Sequence, residues 1–149
     1  MKTRILKMLA PLVIAIGSVI GVPAAAHAAT LCGGYTNIGE AEQFKDSKGV
    51  PMATLYLYSK GGPGSQYSSD TPTCGILFAE GSYSQESKYM GITLCSNYIG
   101  VPCTTDHGNY REYAGPVYQA RGGCGQATFV MKNPQGTTIV SGTRGFNCD

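Results

Sequence analysis

His107 follows Asp106 directly in the stretch Thr104-Thr105-Asp106-His107-Gly108-Asn109-Tyr110. An imidazole next to a carboxylate is the raw material of a general base that activates a serine hydroxyl. Neighbours in sequence do not easily take the orienting geometry such a base needs, and no serine sits in a G-x-S-x-G turn. His107 therefore reads as a polar loop residue between a cysteine and a strand. Glu80, Glu86, Asp106 and Glu112 are the candidates for a carboxylate pair that would cleave a glycoside. Nothing in their spacing pairs any two, so they read as solvated surface groups. Asp46-Ser47-Lys48-Gly49 begins like a calcium loop but lacks the later acidic ligands. The expectation is a protein with no catalytic residues, no metal and no cofactor.

The cysteines and tyrosines say more. There are six cysteines: Cys32, Cys74, Cys95, Cys103, Cys124 and Cys148. A zinc site would need close-set pairs such as C-x-x-C, and none exists. An even count in an exported chain reads instead as three disulfides. Gly100 and Pro102 let the chain fold back between Cys95 and Cys103, which predicts a local bridge there. Proximity along the chain then pairs Cys32 with Cys74 and Cys124 with Cys148. Ten tyrosines and no tryptophan complete the inventory. Tyrosine joins apolar area to a hydroxyl and is favoured at binding surfaces. Tyr56, Tyr58, Tyr110, Tyr113 and Tyr118 are the candidate ligand face, set against the plainer use of tyrosine to cover a small core.

Export is read from the first 28 residues. Lys2, Arg4 and Lys7 precede an apolar run from Met8 to Val22, and Ala26-His27-Ala28 supplies the small-residue cleavage site. The run is shorter than the roughly 20 residues a membrane span needs. Residues 1–28 are thus expected to be a secretory signal peptide and residues 29–149 a single secreted domain. Cleavage removes three basic side chains, leaving eight basic against nine acidic residues and a formal charge of −1. A nearly neutral chain without a basic stripe has little attraction for nucleic acid or anionic lipid. Neither a nucleic-acid partner nor membrane association after cleavage is expected.

These groups must be positioned by strands. Met52 to Ser59 alternates, with Ala53, Leu55 and Leu57 on one face and Thr54, Tyr56 and Tyr58 on the other. Further short strands are expected at Tyr35–Ile38, Cys74–Ala79, Tyr89–Cys95, Pro116–Arg121, Ala127–Lys132 and Thr137–Ser141. Ile38 to Lys48 supports at most one helical turn. Asn133-Pro134-Gln135-Gly136 has the chemistry of a hairpin turn. The expected fold class is all-β: a small antiparallel β-sandwich or barrel with three disulfides.

Tyr113-Ala114-Gly115-Pro116-Val117-Tyr118, followed by Ala120-Arg121-Gly122-Gly123-Cys124, resembles the spore-associated protein A family, small secreted proteins of filamentous actinobacteria. Cys32-Gly33-Gly34-Tyr35, Leu55-Tyr56-Leu57, the strand after Cys74, Asp106-His107-Gly108-Asn109-Tyr110 and the terminal Cys148 extend the likeness over the exported chain. Family members tend to continue after the motif cysteine with an aromatic-bearing Val-Asp-Trp-Gly-Gly, where this chain has Gly125-Gln126-Ala127. Cys95 and Cys103 look like an addition to a four-cysteine framework of Cys32, Cys74, Cys124 and Cys148. The resemblance implies a secreted, extracellular protein found with spores or the cell-wall surface, and it carries over no catalytic residue. The leading expectation is a non-enzymatic surface-associated protein. Two alternatives stand beside it. One is a carbohydrate-binding module for cell-wall or environmental glycan. The other is a secreted protease inhibitor that presents residues 61–70 or, better, the bridged loop from Ser96 to Pro102.

Overall fold

The computed structural model describes residues 24–35, 37–60, 71–122 and 124–146. One helix, α1 (Ala24–Leu31), precedes eight strands. They are β1 (Asn37–Lys45), β2 (Pro51–Ser59), β3 (Thr73–Ala79), β4 (Lys88–Ser96), β5 (Thr104–Tyr110), β6 (Tyr113–Gln119), β7 (Gly125–Lys132) and β8 (Thr138–Phe146), with a 3-10 turn at Gly81–Ser84. The strands form two four-stranded sheets, ordered β1-β2-β3-β6 and β5-β4-β7-β8, and every pairing is antiparallel. This is the sandwich of the two architectures expected. The barrel is excluded, because each sheet keeps its own edges and no ladder closes them into one ring.

Period-2 alternation explains the core. Ala53, Leu55, Leu57, Leu77, Ala114 and Val117 face inward from the first sheet. Met90, Ile92, Leu94, Ala127, Phe129, Met131 and Val140 meet them from the second. Phe44 of β1 reaches across to Phe129, with ring centroids 4.9 Å apart. Glu42, two residues earlier on the same side of β1, forms an ion pair with Arg144 of β8 and so ties the sheet edges together. That guanidinium holds the Glu42 carboxyl below its ordinary range by hydrogen bonding to it.

Two segments depart from the sequence expectation. Residues 38–48, read as at most a helical turn, mostly belong to strand β1. Asp46, considered as a calcium ligand, closes the β1–β2 turn: its Oδ1 accepts from the N–H groups of Lys48 and Val50, both at 2.8 Å. Residues 104–110, read as a polar loop around His107, form strand β5. The hairpin at Asn133–Gly136 is as expected, with Asn133 N–H donating to Thr137 O at 2.8 Å and Thr137 N–H to Asn133 Oδ1 at 2.8 Å.

Two disulfides are present among the described residues, Cys32–Cys74 and Cys95–Cys103, as paired above. Cys124 is also disulfide-bonded, while Cys148, its expected partner, lies outside the described residues. Disulfides of this number fit an oxidising compartment outside the cytoplasm. Among the described residues no helix is long and apolar enough to cross a membrane.

Candidate functional site: an aromatic sheet face beneath a short helix

Strand residues that alternate with the core must point outward, and on the first sheet they are unusually aromatic. Register places Tyr58, Cys74 and Tyr118 in one row across β2, β3 and β6. Thr54, Phe78 and Tyr113 form a parallel row, with Tyr56 and Ile76 between the two. Four of the five tyrosines singled out from sequence thus converge on one face. The rings of Tyr56, Tyr58 and Tyr113 form a continuous surface with Phe78. Tyr56 stacks on Tyr58 (6.2 Å, 22° between planes) and meets Phe78 edge-on (5.9 Å), and Phe78 touches Tyr113 (5.2 Å).

Tyr110 stands apart. It belongs to β5 in the opposite sheet, and its side chain turns inward, where its hydroxyl donates to Asp106 Oδ1 at 2.6 Å. That hydrogen bond to a carboxylate holds the phenol proton and pushes the Tyr110 hydroxyl above its ordinary range. Two residues of a ligand face must share strand parity and sheet, and Tyr110 shares neither with the other four.

The aromatic face is not open. Helix α1 lies across it, and Ala28 is 0 % exposed against a cluster of Tyr56, Tyr58, Cys74, Ile76 and Phe78. Ala25 and Ala29, at helical spacings of three and one from Ala28, flank it. The Tyr58 hydroxyl donates to Ala25 O at 2.7 Å, and the Tyr118 hydroxyl to Leu31 O at 2.9 Å. The His27 ring sits 5.6 Å from Phe78 and 6.1 Å from Tyr113. Cys32–Cys74 fixes the helix end to β3. Tyr58 is consequently 2 % exposed although it points away from the sandwich core. Burial raises the hydroxyls of Tyr56, Tyr58 and Tyr35 above their ordinary range, with Glu80 adding to the effect at Tyr56. Glu80 borders the face, where Thr54 Oγ1 donates to its Oε1 at 2.7 Å.

Of the residues first considered for catalysis, Glu80 alone borders this face, and the others fall elsewhere. Asp106 and His107 are consecutive on β5, so they point to opposite faces of the sheet. Asp106 turns inward and joins the sheets: besides Tyr110, its Oδ2 accepts from the Gly115 N–H at 2.7 Å. Gly115 has φ +101°, and a Cβ there would lie 2.7 Å from Gly75 O, so this position requires glycine. Asp106, Tyr110 and Gly115 therefore form one hydrogen-bonded clasp. His107 lies outward over Gly91, where a Cβ would meet its ring at 2.8 Å. A directed chain runs through it. Thr105 Oγ1 donates to Ile92 O (3.3 Å), so Thr105 accepts from Thr93 (2.8 Å). Thr93 in turn accepts from His107 Nε2 (3.0 Å), and Nδ1 hydrogen-bonds the Tyr89 hydroxyl (3.2 Å). The remaining carboxylates are dispersed: Glu86 follows the 3-10 turn and Glu112 occupies the β5–β6 turn.

Two further features complete the surface. Lys88 is 3 % exposed and its Nζ donates to Glu86 O (3.1 Å) and Arg111 O (2.6 Å), beside a cavity of ≈ 300 Å³. Burial lowers its ammonium below the ordinary range. The loop closed by Cys95–Cys103 projects Ile99, which is 104 % exposed. Its base is held by Arg121 over the Tyr98 ring (4.3 Å) and by Gln119 Nε2 donating to Pro102 O (3.0 Å). The other inhibitor candidate, residues 61–70, lies outside the described residues. Comparison with protein-family models, curated proteins and solved structures found no match.

Proposed function

We propose that this is a secreted, non-enzymatic protein that works attached to a spore or cell surface. The observation that carries the reading is the convergence of Tyr56, Tyr58, Tyr113 and Tyr118 on one outer sheet face, with Glu80 alone of the candidate carboxylates at its border. The export signal in the sequence, the disulfides and the likeness to the spore-associated protein A family support it. Attachment then rests on the folded domain. An aromatic surface bearing hydroxyls, with one carboxylate at its edge, suits neutral pyranose rings, which pack on aromatic side chains and hydrogen-bond at their rims. Carbohydrate binding is accordingly the mode of attachment we favour. Retention of the purified secreted protein on insoluble chitin, cellulose or peptidoglycan tests it, and passage through all three refutes the glycan reading.

The protease-inhibitor reading keeps one observation of its own, the bridged loop with Ile99 fully exposed at its tip. A rigid loop loses little entropy on docking. Failure to slow any of a panel of secreted proteases removes it.

A further inference from the structure

We propose that the outer face of the β1-β2-β3-β6 sheet is a binding site for a neutral sugar chain that the leader's last residues fill in the precursor and that cleavage after Ala28 opens. The proposal rests on the secretion and surface reading above and adds the residues, the chemistry and the event that exposes them.

The cut expected from sequence falls inside α1. It would remove Ala25, His27 and Ala28, which supply much of the helix's contact with the face. Only residues 29–31 of the helix would remain, fewer than one turn. Helices shorter than about 12 residues are marginal in water even when complete and depend on packing. Cys32 N–H, which donates to Ala28 O at 2.9 Å, loses its acceptor at the same time. The remnant is therefore too short to stay helical, and what still holds it is Cys32–Cys74, the Tyr118 hydroxyl on Leu31 O and the packing of Ala29 and Leu31.

What the departing residues leave behind defines the ligand. The Tyr58 hydroxyl loses a neutral oxygen acceptor, the Ala25 carbonyl. Phe78 and Tyr113 lose a small ring, the His27 imidazole, tilted 56° to Phe78 and edge-on to Tyr113. Ile76 and Tyr56 lose apolar cover from Ala28. The vacated place thus asks for a group with an acceptor oxygen at Tyr58 and a ring-sized body with an apolar side toward Phe78 and Tyr113. A pyranose ring with its hydroxyls meets both requirements. Tyr118 and Tyr35, whose rings pack at 5.5 Å, extend the aromatic surface along the same edge. That lengthens the site beyond one ring and favours a chain over a monosaccharide.

The test compares two disulfide-intact forms, 29–149 and 24–149, with chitohexaose and cellohexaose as probes by calorimetry. It is paired with N-terminal sequencing of the protein recovered from its natural culture. The expected result is an N-terminus at Ala29 and binding of at least one probe by the short form. The long form should bind roughly ten-fold or more weakly, because a filled site reduces affinity by the fraction of molecules open. Tyr58→Phe, which keeps the ring, and Tyr113→Ala should each weaken the short form at least several-fold with unchanged far-ultraviolet circular dichroism. A secreted protein that retains residues 24–28 overturns the inference and leaves the secretion reading standing. An N-terminus at Ala29 with equal binding by both forms, or with none, overturns it as well. Absence of the protein from every extracellular fraction refutes the secretion reading itself.

Discussion

Removing the Asp106 carboxylate should cost this fold far more than removing its neighbour His107, although sequence alone makes the pair look like one functional unit. Asp106 accepts from the Tyr110 hydroxyl at 2.6 Å and from the Gly115 N–H at 2.7 Å. Hydrogen bonds to a charged acceptor contribute about 1.5–3 kcal/mol each. In Asp106→Ala both donors lose their partner between the sheets, where water replaces it only in part. The two losses share one acceptor and do not add fully, so the expected destabilisation is about 3 kcal/mol. For a domain of this size that lowers Tm by about 12 °C. His107 lies on the exposed outer face, and His107→Ala breaks only a surface chain, for which about 0.5 kcal/mol is expected. Urea unfolding of the disulfide-intact protein, followed by circular dichroism, reads both variants. Unchanged slopes would show that only stability has moved. Tyr110→Phe should cost about 1.5 kcal/mol, and much less in the Asp106→Ala background, because its partner is then already gone. An Asp106→Ala cost within 0.5 kcal/mol (an estimate on the scale of ordinary surface substitutions) of that of His107→Ala would refute the clasp.

Gly115→Ala should destabilise by at least about 2 kcal/mol, since φ +101° disfavours any side chain and the new methyl would strike Gly75 O; a near-neutral result in the same unfolding assay contradicts that geometry. Breaking Cys32–Cys74 by Cys74→Ser should cost about 4 kcal/mol on loop entropy alone, against about 2.5 kcal/mol for Cys95→Ser, because the two bridges span 42 and 8 residues. Cys124→Ser should likewise exceed Cys95→Ser, and equal unfolding midpoints across the three variants would overturn the ranking. Alkaline pH gives a further test. Tyr110 holds its proton more tightly folded than unfolded, so its contribution is complete below the unfolded value near pH 10 and is lost as pH rises through the folded one. The urea midpoint should therefore hold steady from about pH 7 to 9 and fall above 10, less steeply in Tyr110→Phe. An equal fall in both proteins would exclude Tyr110 as a source of that dependence.

The sandwich was legible where apolar alternation was strong. Leu55 and Leu57 on β2, Ile92 and Leu94 on β4, and Phe129 and Met131 on β7 announce both strand and inward face. Strand β5 carries no such signal. Its inward positions are Thr104, Asp106, Gly108 and Tyr110, of which only Tyr110 packs on the core, while Asp106 serves the clasp. Strand β1 is hidden for a related reason: on its inward side Phe44 packs on the core, whereas Glu42 is committed to Arg144 of the other sheet. The tyrosine face was half legible. Alternation says that Tyr56 and Tyr58 leave the core, but it cannot say that a helix then covers them. The available signal was the run Ala24–Ala29, rich in the strongest helix former and interrupted only by His27. Reading the segment only as a cleavage site concealed that it also packs. The Tyr113–Tyr118 stretch around Gly115 has a structural meaning that sequence could not supply, because its partner Asp106 lies on another strand.

The central claim, attachment to a surface, is tested most directly by quantitative mass spectrometry of three washed fractions of the natural culture: medium, vegetative cells and spores. The account predicts enrichment on spores or cell walls that survives high salt, because the face carries rings and hydroxyls more than charge, and release by detergent or soluble glycan. Recovery almost entirely in the medium would contradict it.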